Sequence, residues 1–190
     1  DANLSLGNAY TFHQNAGALD VQGSFVMSSD TLSFVGGLIS GGGAANLTGS
    51  NVQAVGEAAV DVVLAGADIN LGPAIGATGV LNIIEEPATS TGGNWTQSSS
   101  SDLFVEIGSP IAGLGFDQLN VEKIADLSGS LHIDFINGFA PSPCDTFEII
   151  TYGTLTGSLP SLTVNGLPTG FGARVVYGPS SATVVVYNSA

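Results

Sequence analysis

The chain has 190 residues, and its 16 acidic side chains face one lysine and one arginine, so the formal charge is −14 although only 9 % of the residues are charged. Binding to nucleic acid needs clustered cations that displace counterions from phosphates; Lys123 and Arg174 stand 51 residues apart, which excludes nucleic acid as a partner and an anionic membrane surface with it. A hydrophobic fraction of 44 % with positive mean hydropathy excludes a disordered chain and predicts a real core, while 27 glycines predict frequent turns.

The chain begins at Asp1, and no apolar run reaches the roughly 18 residues that span a bilayer. This predicts a precursor whose leader is removed, an extracellular or cell-surface location, and no membrane insertion. Leu4-Ser5-Leu6 and Tyr10-Thr11-Phe12 then alternate apolar and polar residues, and the segment from Ala2 to Phe12 is expected to add as a strand to a neighbouring subunit. Similar triplets follow, Leu19-Asp20-Val21, Leu32-Ser33-Phe34 and Ala45-Asn46-Leu47, spaced 13 residues from one another. Ile69-Asn70-Leu71 comes 24 later, with Val60-Asp61-Val62 in the gap, and Leu81-Asn82-Ile83 another 12 on. Val105-Glu106-Ile107 lies 24 beyond that, with Asn94-Trp95-Thr96 roughly filling the gap; Leu119-Asn120-Val121 and Leu131-His132-Ile133 follow after 14 and 12.

Short, strict alternation marks strands with one face in a core and the other in solvent. Gly41-Gly42-Gly43, Gly49-Ser50-Asn51 and Gly92-Gly93-Asn94 supply turns between them. Glu57 to Ala65 and Gln118 to Leu127 have short helical alternatives, yet both fit the strand rhythm. The rhythm permits two all-β architectures, a parallel β-helix or an antiparallel β-sandwich or jelly roll. Asn46, Asn70, Asn82 and Asn120 suit stacked side-chain ladders, so residues 1–137 are expected to form a β-solenoid of short strands. From Gly138 the character changes: Pro141, Pro143, Pro160, Pro168 and Pro179 are interleaved with the β-branched runs Phe147 to Thr151, Arg174 to Tyr177 and Thr183 to Tyr187. The last two runs flank Gly178-Pro179-Ser180-Ser181, a hairpin signal. Residues 138–190 are therefore expected to form an antiparallel β-rich cap, packed with the solenoid as one unit and covering its open edges.

Within the later part of the chain, six stretches occur in order: Asn94-Trp95-Thr96-Gln97-Ser98, Leu103 to Gly108, Phe116 to Val121, Leu127 to Leu131, Asn137 to Pro141 and Asp145 to Ile150. The set resembles the C-terminal part of secreted, glycine-rich, autotransporter-like β-helical surface proteins of bacteria, including those with PEP-CTERM-type sorting tails. The likeness covers roughly residues 92 to 160. It implies an exported β-solenoid with a β-rich cap, used as a surface or extracellular structural element, and it implies no shared catalytic residue. The present chain departs from that pattern in ending at Tyr187-Asn188-Ser189-Ala190, without an apolar anchor or basic tail.

Chemistry finds little support in the remaining residues. Enzymes that attack acidic polysaccharides need Lys or Arg to hold the substrate carboxylates, and an acidic protein repels such a substrate. Hydrolysis of neutral glycans needs two carboxylates about 5 to 9 Å apart, whereas Asp20, Asp61, Asp68, Glu106 and Asp134 alternate with apolar neighbours and read as solvent faces of strands. Consecutive side chains in Glu85-Glu86-Pro87 point apart. Neither His13 nor His132 sits near a nucleophile elbow, and His132 is outward between Leu131 and Ile133. Gly36-Gly37 and Gly41-Gly42-Gly43 lack the lysine and helix of a phosphate loop. No catalytic or cofactor-binding residue is expected, and no enzyme.

Abundant hard oxygen ligands leave calcium open as a bound ion, with Asp102, Glu106 and Asp117 near loops as candidate ligands. No EF-hand or Gly/Asp nonapeptide repeat accompanies them, so the metal site stays unassigned; one cysteine and two separated histidines argue against zinc. Cys144, the lone cysteine, can form no disulfide within the chain and reads as a small buried hydrophobe, with an intermolecular bridge or a thiol attachment as the alternative. Asn3-Leu4-Ser5, Asn46-Leu47-Thr48 and Asn94-Trp95-Thr96 match the N-glycosylation pattern, which a bacterial source would leave idle. The expectation is an exported, non-enzymatic structural protein, a homo-oligomer or polymer building an extracellular filament, sheath or surface layer by terminal strand addition. The alternative is a monomeric cell-surface adhesin or glycan-binding module, with Trp95, Phe116 and Tyr152 as its platform.

Overall fold

The computed structural model describes residues 4–7, 10–159 and 161–189, and among these no helix occurs. Of the two segments with helical alternatives, Gln118 to Leu127 is a single strand and Glu57 to Ala65 falls on two.

Three short strands make one pass of the chain. The first pass holds β1 (Leu4–Gly7), β2 (Thr11–Gln14) and β3 (Ala18–Asp20), and the second β4 (Ser24–Ser28), β5 (Thr31–Phe34) and β6 (Leu38–Ser40). The third holds β7 (Ala44–Thr48), β8 (Asn51–Ala54) and β9 (Gly56–Ala58), and the fourth β10 (Asp61–Ala65), β11 (Asp68–Leu71) and β12 (Val80–Ile83). A small hairpin, β13 (Glu85–Glu86) and β14 (Thr91–Gly92), precedes β15 (Trp95–Gln97), β16 (Asp102–Ile107) and the long β17 (Gln118–Leu127). Then come β18 (Ser130–Phe135), β19 (Thr146–Gly157), β20 (Ser161–Asn165), β21 (Phe171–Tyr177) and β22 (Ser181–Asn188).

From β1 to β12 each strand pairs in parallel with the strand three places on, so the passes stack in three columns. Parallel neighbours require a long crossover, and the other two strands of each pass supply it. The first column continues through β15 to the second half of β17, and the third through β12 to its first half. β17 turns the corner between them at an irregularity between Val121 and Ile124, and β19 follows it round. The second column runs β2-β5-β8-β11-β16-β18-β20. Antiparallel pairing among the larger strands is confined to β22 on β19 and β21 on β22. The antiparallel sandwich or jelly roll is thus corrected: its strands would need antiparallel neighbours, whereas β1 to β12, β15 to β18 and β20 have only parallel ones. Past Gly138, β19 and β20 still pair in parallel with β17 and β18, and the change of sense comes with β22 and β21.

Register places apolar residues over apolar residues. In the second column Leu32, Val52, Ile69, Leu103 and Leu131 succeed one another, all buried. Large residues meet small ones in the first: Phe25 lies on Ala45, and Trp95 sits between Val62 and Ala125. Outward positions carry polar ladders. Asn120 donates from Nδ2 to Oδ1 of Asn82 (2.9 Å) and accepts from Thr151 Oγ1 (2.7 Å); Asn46 donates to Ser24 Oγ (2.8 Å). Asn70 lies in register between Gln53 and Phe104, so its row passes from polar to aromatic. At the far end Phe171, Ala173, Val175 and Tyr177 of β21 lean on the core beside Leu155, Val164 and Leu167, and the Leu159 N–H donates to the Tyr177 hydroxyl (3.0 Å).

Corners between columns stack as closely as the strands. Gly37, at φ +89°, lies directly over Gly17, also at positive φ, and a Cβ at Gly37 would collide with the Gly17 carbonyl oxygen. The positive φ and the backbone contact act together here. Gly37→Ala is expected to cost about 1–3 kcal/mol, read as a lower urea midpoint with an unchanged m-value; a midpoint within error of wild type would refute the corner argument.

Candidate functional site

Among the described residues, three groups of ionisable side chains bring together residues from different passes. The first group lies where the loop after β11 meets the loop after β16. Asp117 is 1 % exposed, and its carboxylate accepts from two backbone amides, Gly79 N (2.7 Å) and Glu106 N (2.8 Å), which belong to different passes. Burial pushes the Asp117 carboxyl up to about 8 against the opposing pull of those two N–H groups. Glu106 accepts from Gly76 N with both carboxylate oxygens (2.8 Å each). Asp30 repeats the device nearer the start: 2 % exposed, it accepts from Tyr10 N and Ser28 N.

The second group is on the outer face of the second column. Asp68 lies opposite Asp102 in register, and Phe104 opposite His132. The His132 ring stacks on Phe104 with centroids 4.4 Å apart, and its Nε2 is 3.6 Å from Asp102 Oδ1. Burial and the neighbouring Asp102 raise the Asp68 carboxyl above the usual range, while His132 pulls it down. The third group surrounds the β13–β14 hairpin. Lys123 Nζ is 2.7 Å from Glu85 and donates to the Ser90 carbonyl (3.1 Å), holding the Glu85 carboxyl below its ordinary value. Glu122 accepts from Glu85 N (2.6 Å), and Glu86 from Gly41 N (3.2 Å), so this hairpin is tied to two passes.

Of the calcium candidates, Glu106 and Asp117 fall in one group, joined by the Glu106 N–H to the Asp117 carboxylate, with the Glu106 side chain turned to Gly76, while Asp102 stands beside His132. Among the described residues no three His, Cys, Asp or Glu side chains are placed to hold a metal ion. Trp95, Phe116 and Tyr152 are 0 %, 5 % and 4 % exposed, which corrects their assignment to a surface platform. Trp95 fills the space Ala125 leaves, Phe116 meets Phe147 edge-on at 5.6 Å, and the Tyr152 hydroxyl donates to the carbonyls that flank the β21–β22 turn. Cys144 is also corrected, since it is exposed and at φ +77°. His132 is outward as expected and half-buried under Phe104, and His13 is exposed. Asn46 and Asn94 are both engaged in side-chain hydrogen bonds, and Asn3 lies outside the described residues.

Sequence reasoning missed two surface features. Ile75 (80 % exposed), Ile111 and Leu114 (86 %) stand on the glycine-rich loops after β11 and β16, beside a cavity of about 310 Å³. That cavity is lined by Thr78, Ser109, Leu114, Ile136, Asn137 and the intervening glycines, with no ionisable side chain. A groove of about 630 Å³ runs beside β20 and β21, and its walls carry no ionisable group other than the Tyr187 phenol. Pro73, Pro110 and the surrounding glycines announced loops; the aliphatics within them were the available signal.

The buried Asp117 has a measurable signature. Its folded-state carboxyl titrates above its unfolded value, so its contribution to stability is present below about pH 4 and is lost as pH rises through about 8. Asp117→Asn cannot titrate. Urea unfolding across pH 4–9 is expected to show wild type losing stability relative to the variant as pH rises; parallel profiles would remove the assignment.

A scan against protein-family models finds no match, and a search of the curated proteins finds none either.

Proposed function

We propose that the chain is a parallel β-helix with an antiparallel cap, a non-enzymatic structural protein that is exported to the cell surface or extracellular space and self-assembles into a filament, sheath or surface layer. The observation that carries this reading is where the polar side chains are spent. Asn46, Asn82, Asn120, Thr151, Asn165 and the buried Asp30 and Asp117 bond to the neighbouring pass, so they tie one rung to the next. A chain that invests its polar groups in stacking behaves as a stiff spacer. Export, and kinship with the autotransporter-like surface proteins, rest on the resemblance of the six ordered stretches between Asn94 and Ile150.

Assembly must overcome the self-repulsion of a −14 protein. Raising salt from about 0.1 M to 1 M shortens the screening length from roughly 10 Å to 3 Å. Negative-stain micrographs and light scattering of the purified chain are therefore expected to show polymers or layers that increase with ionic strength. Monomers at every salt and protein concentration would overturn the assembly reading.

A further inference from the structure

We propose that the free edge of β20, beside the groove it forms with β21, receives strand β2 of a second copy of this chain, in parallel, giving a head-to-tail joint. This inference rests on the assembly reading above and names its contact.

Among the described residues β20 pairs only with β18, and β21 only with β22, so each has one unpaired edge, and both strands line the groove. The groove is lined by Leu162, Val164, Leu167, Phe171, Ala173 and Tyr187; Leu162 points along the core side of its sheet yet is 37 % exposed, and Tyr187 is 43 % exposed. Natural edge strands are protected by charges, prolines or bulges. β20 reads Ser-Leu-Thr-Val-Asn and has none of these.

The occupant is indicated by continuity and by charge. Among the described residues β20 and β2 are the two outermost strands of the same seven-stranded, all-parallel sheet. β2 reads Thr-Phe-His-Gln and also carries no acid. Of the 16 acidic residues all but Asp1 lie between Asp20 and Glu148; none occurs from Ile149 to Ala190, where Arg174 is the single charged side chain. The segment from Ile149 on therefore brings no carboxylate to the joint, and the β20 and β2 edges can meet without opposing carboxylates.

Register follows from the pairs already present. Leu162 and Val164 continue the inward rows of Leu131 and Ile133, and Phe12 and Gln14 begin those of Leu32 and Phe34. Extending the sheet by one strand sets Leu162 against Phe12, Thr163 against His13 and Val164 against Gln14. Edges of this kind are complementary because each column already joins the far edge of one strand to the near edge of the next. A contact between two different edges is heterologous and propagates.

The test uses the whole chain with Cys144→Ser. His13→Cys and Thr163→Cys proteins are mixed under oxidising conditions, and a disulfide-linked dimer containing both is expected, with neither protein linking to itself. Thr163→Lys places a charge on an exposed edge position; it should leave the circular dichroism and melting temperature unchanged and raise the protein concentration needed for assembly by about tenfold or more. Polymers that persist in Thr163→Lys, or that form without the mixed cross-link, would overturn this joint and leave the assembly reading standing. Self-linking of Thr163→Cys would replace it with a symmetric β20–β20 contact. A wild-type chain that never polymerises would defeat both readings.

Discussion

Each inward side chain in this protein rests on its counterpart in the adjacent pass, and the hydrogen bonds that hold those passes together run parallel to the stack. Everything else follows from keeping that register. A one-residue slip would turn Leu103 and Leu131 outward together and bring Phe104 and His132 into the core. The core is accordingly built from rows, and its largest member, Trp95, is set against the small Ala125 in the next pass. Corners obey the same spacing, which is why Gly37 stands over Gly17 and why backbone amides at the turns are answered by buried carboxylates from Asp30 and Asp117.

Charge is arranged with equal economy. Acids that point outward from neighbouring strands become neighbours in space, and Asp68 against Asp102 shows the consequence, with His132 placed to offset it. The polar ladders of Asn82, Asn120 and Thr151 occupy positions where charge would have been repeated from rung to rung.

Much of this was legible in the triplets, and the part that was not has a geometric cause. Phe25, Leu32 and Ile39 are 7 residues apart, one per column, and successive passes such as Phe12, Leu32 and Val52 are 20 apart. The interval of 13 from Leu19 to Leu32 to Ala45 is one pass less one strand, so it runs diagonally across the columns. Strands such as Ser24–Ser28 escaped because Val26 breaks the apolar-polar alternation on the outward side. The aromatics proposed as a platform sit at inward register positions, which only the pairing reveals, and a turn carboxylate such as Asp117 carries no local mark of being enclosed.

The near absence of cations has an effect outside the fold itself. Proteases that cut after basic residues have only two targets in this chain. Lys123 sits at the corner of β17 with its ammonium held by Glu85 and Ser90, and Arg174 lies within β21, paired along its length with β22. Cleavage at either bond requires local unfolding of a strand that is hydrogen-bonded on at least one edge. Trypsin-like enzymes therefore meet both of their target residues inside strands, and not in a loop.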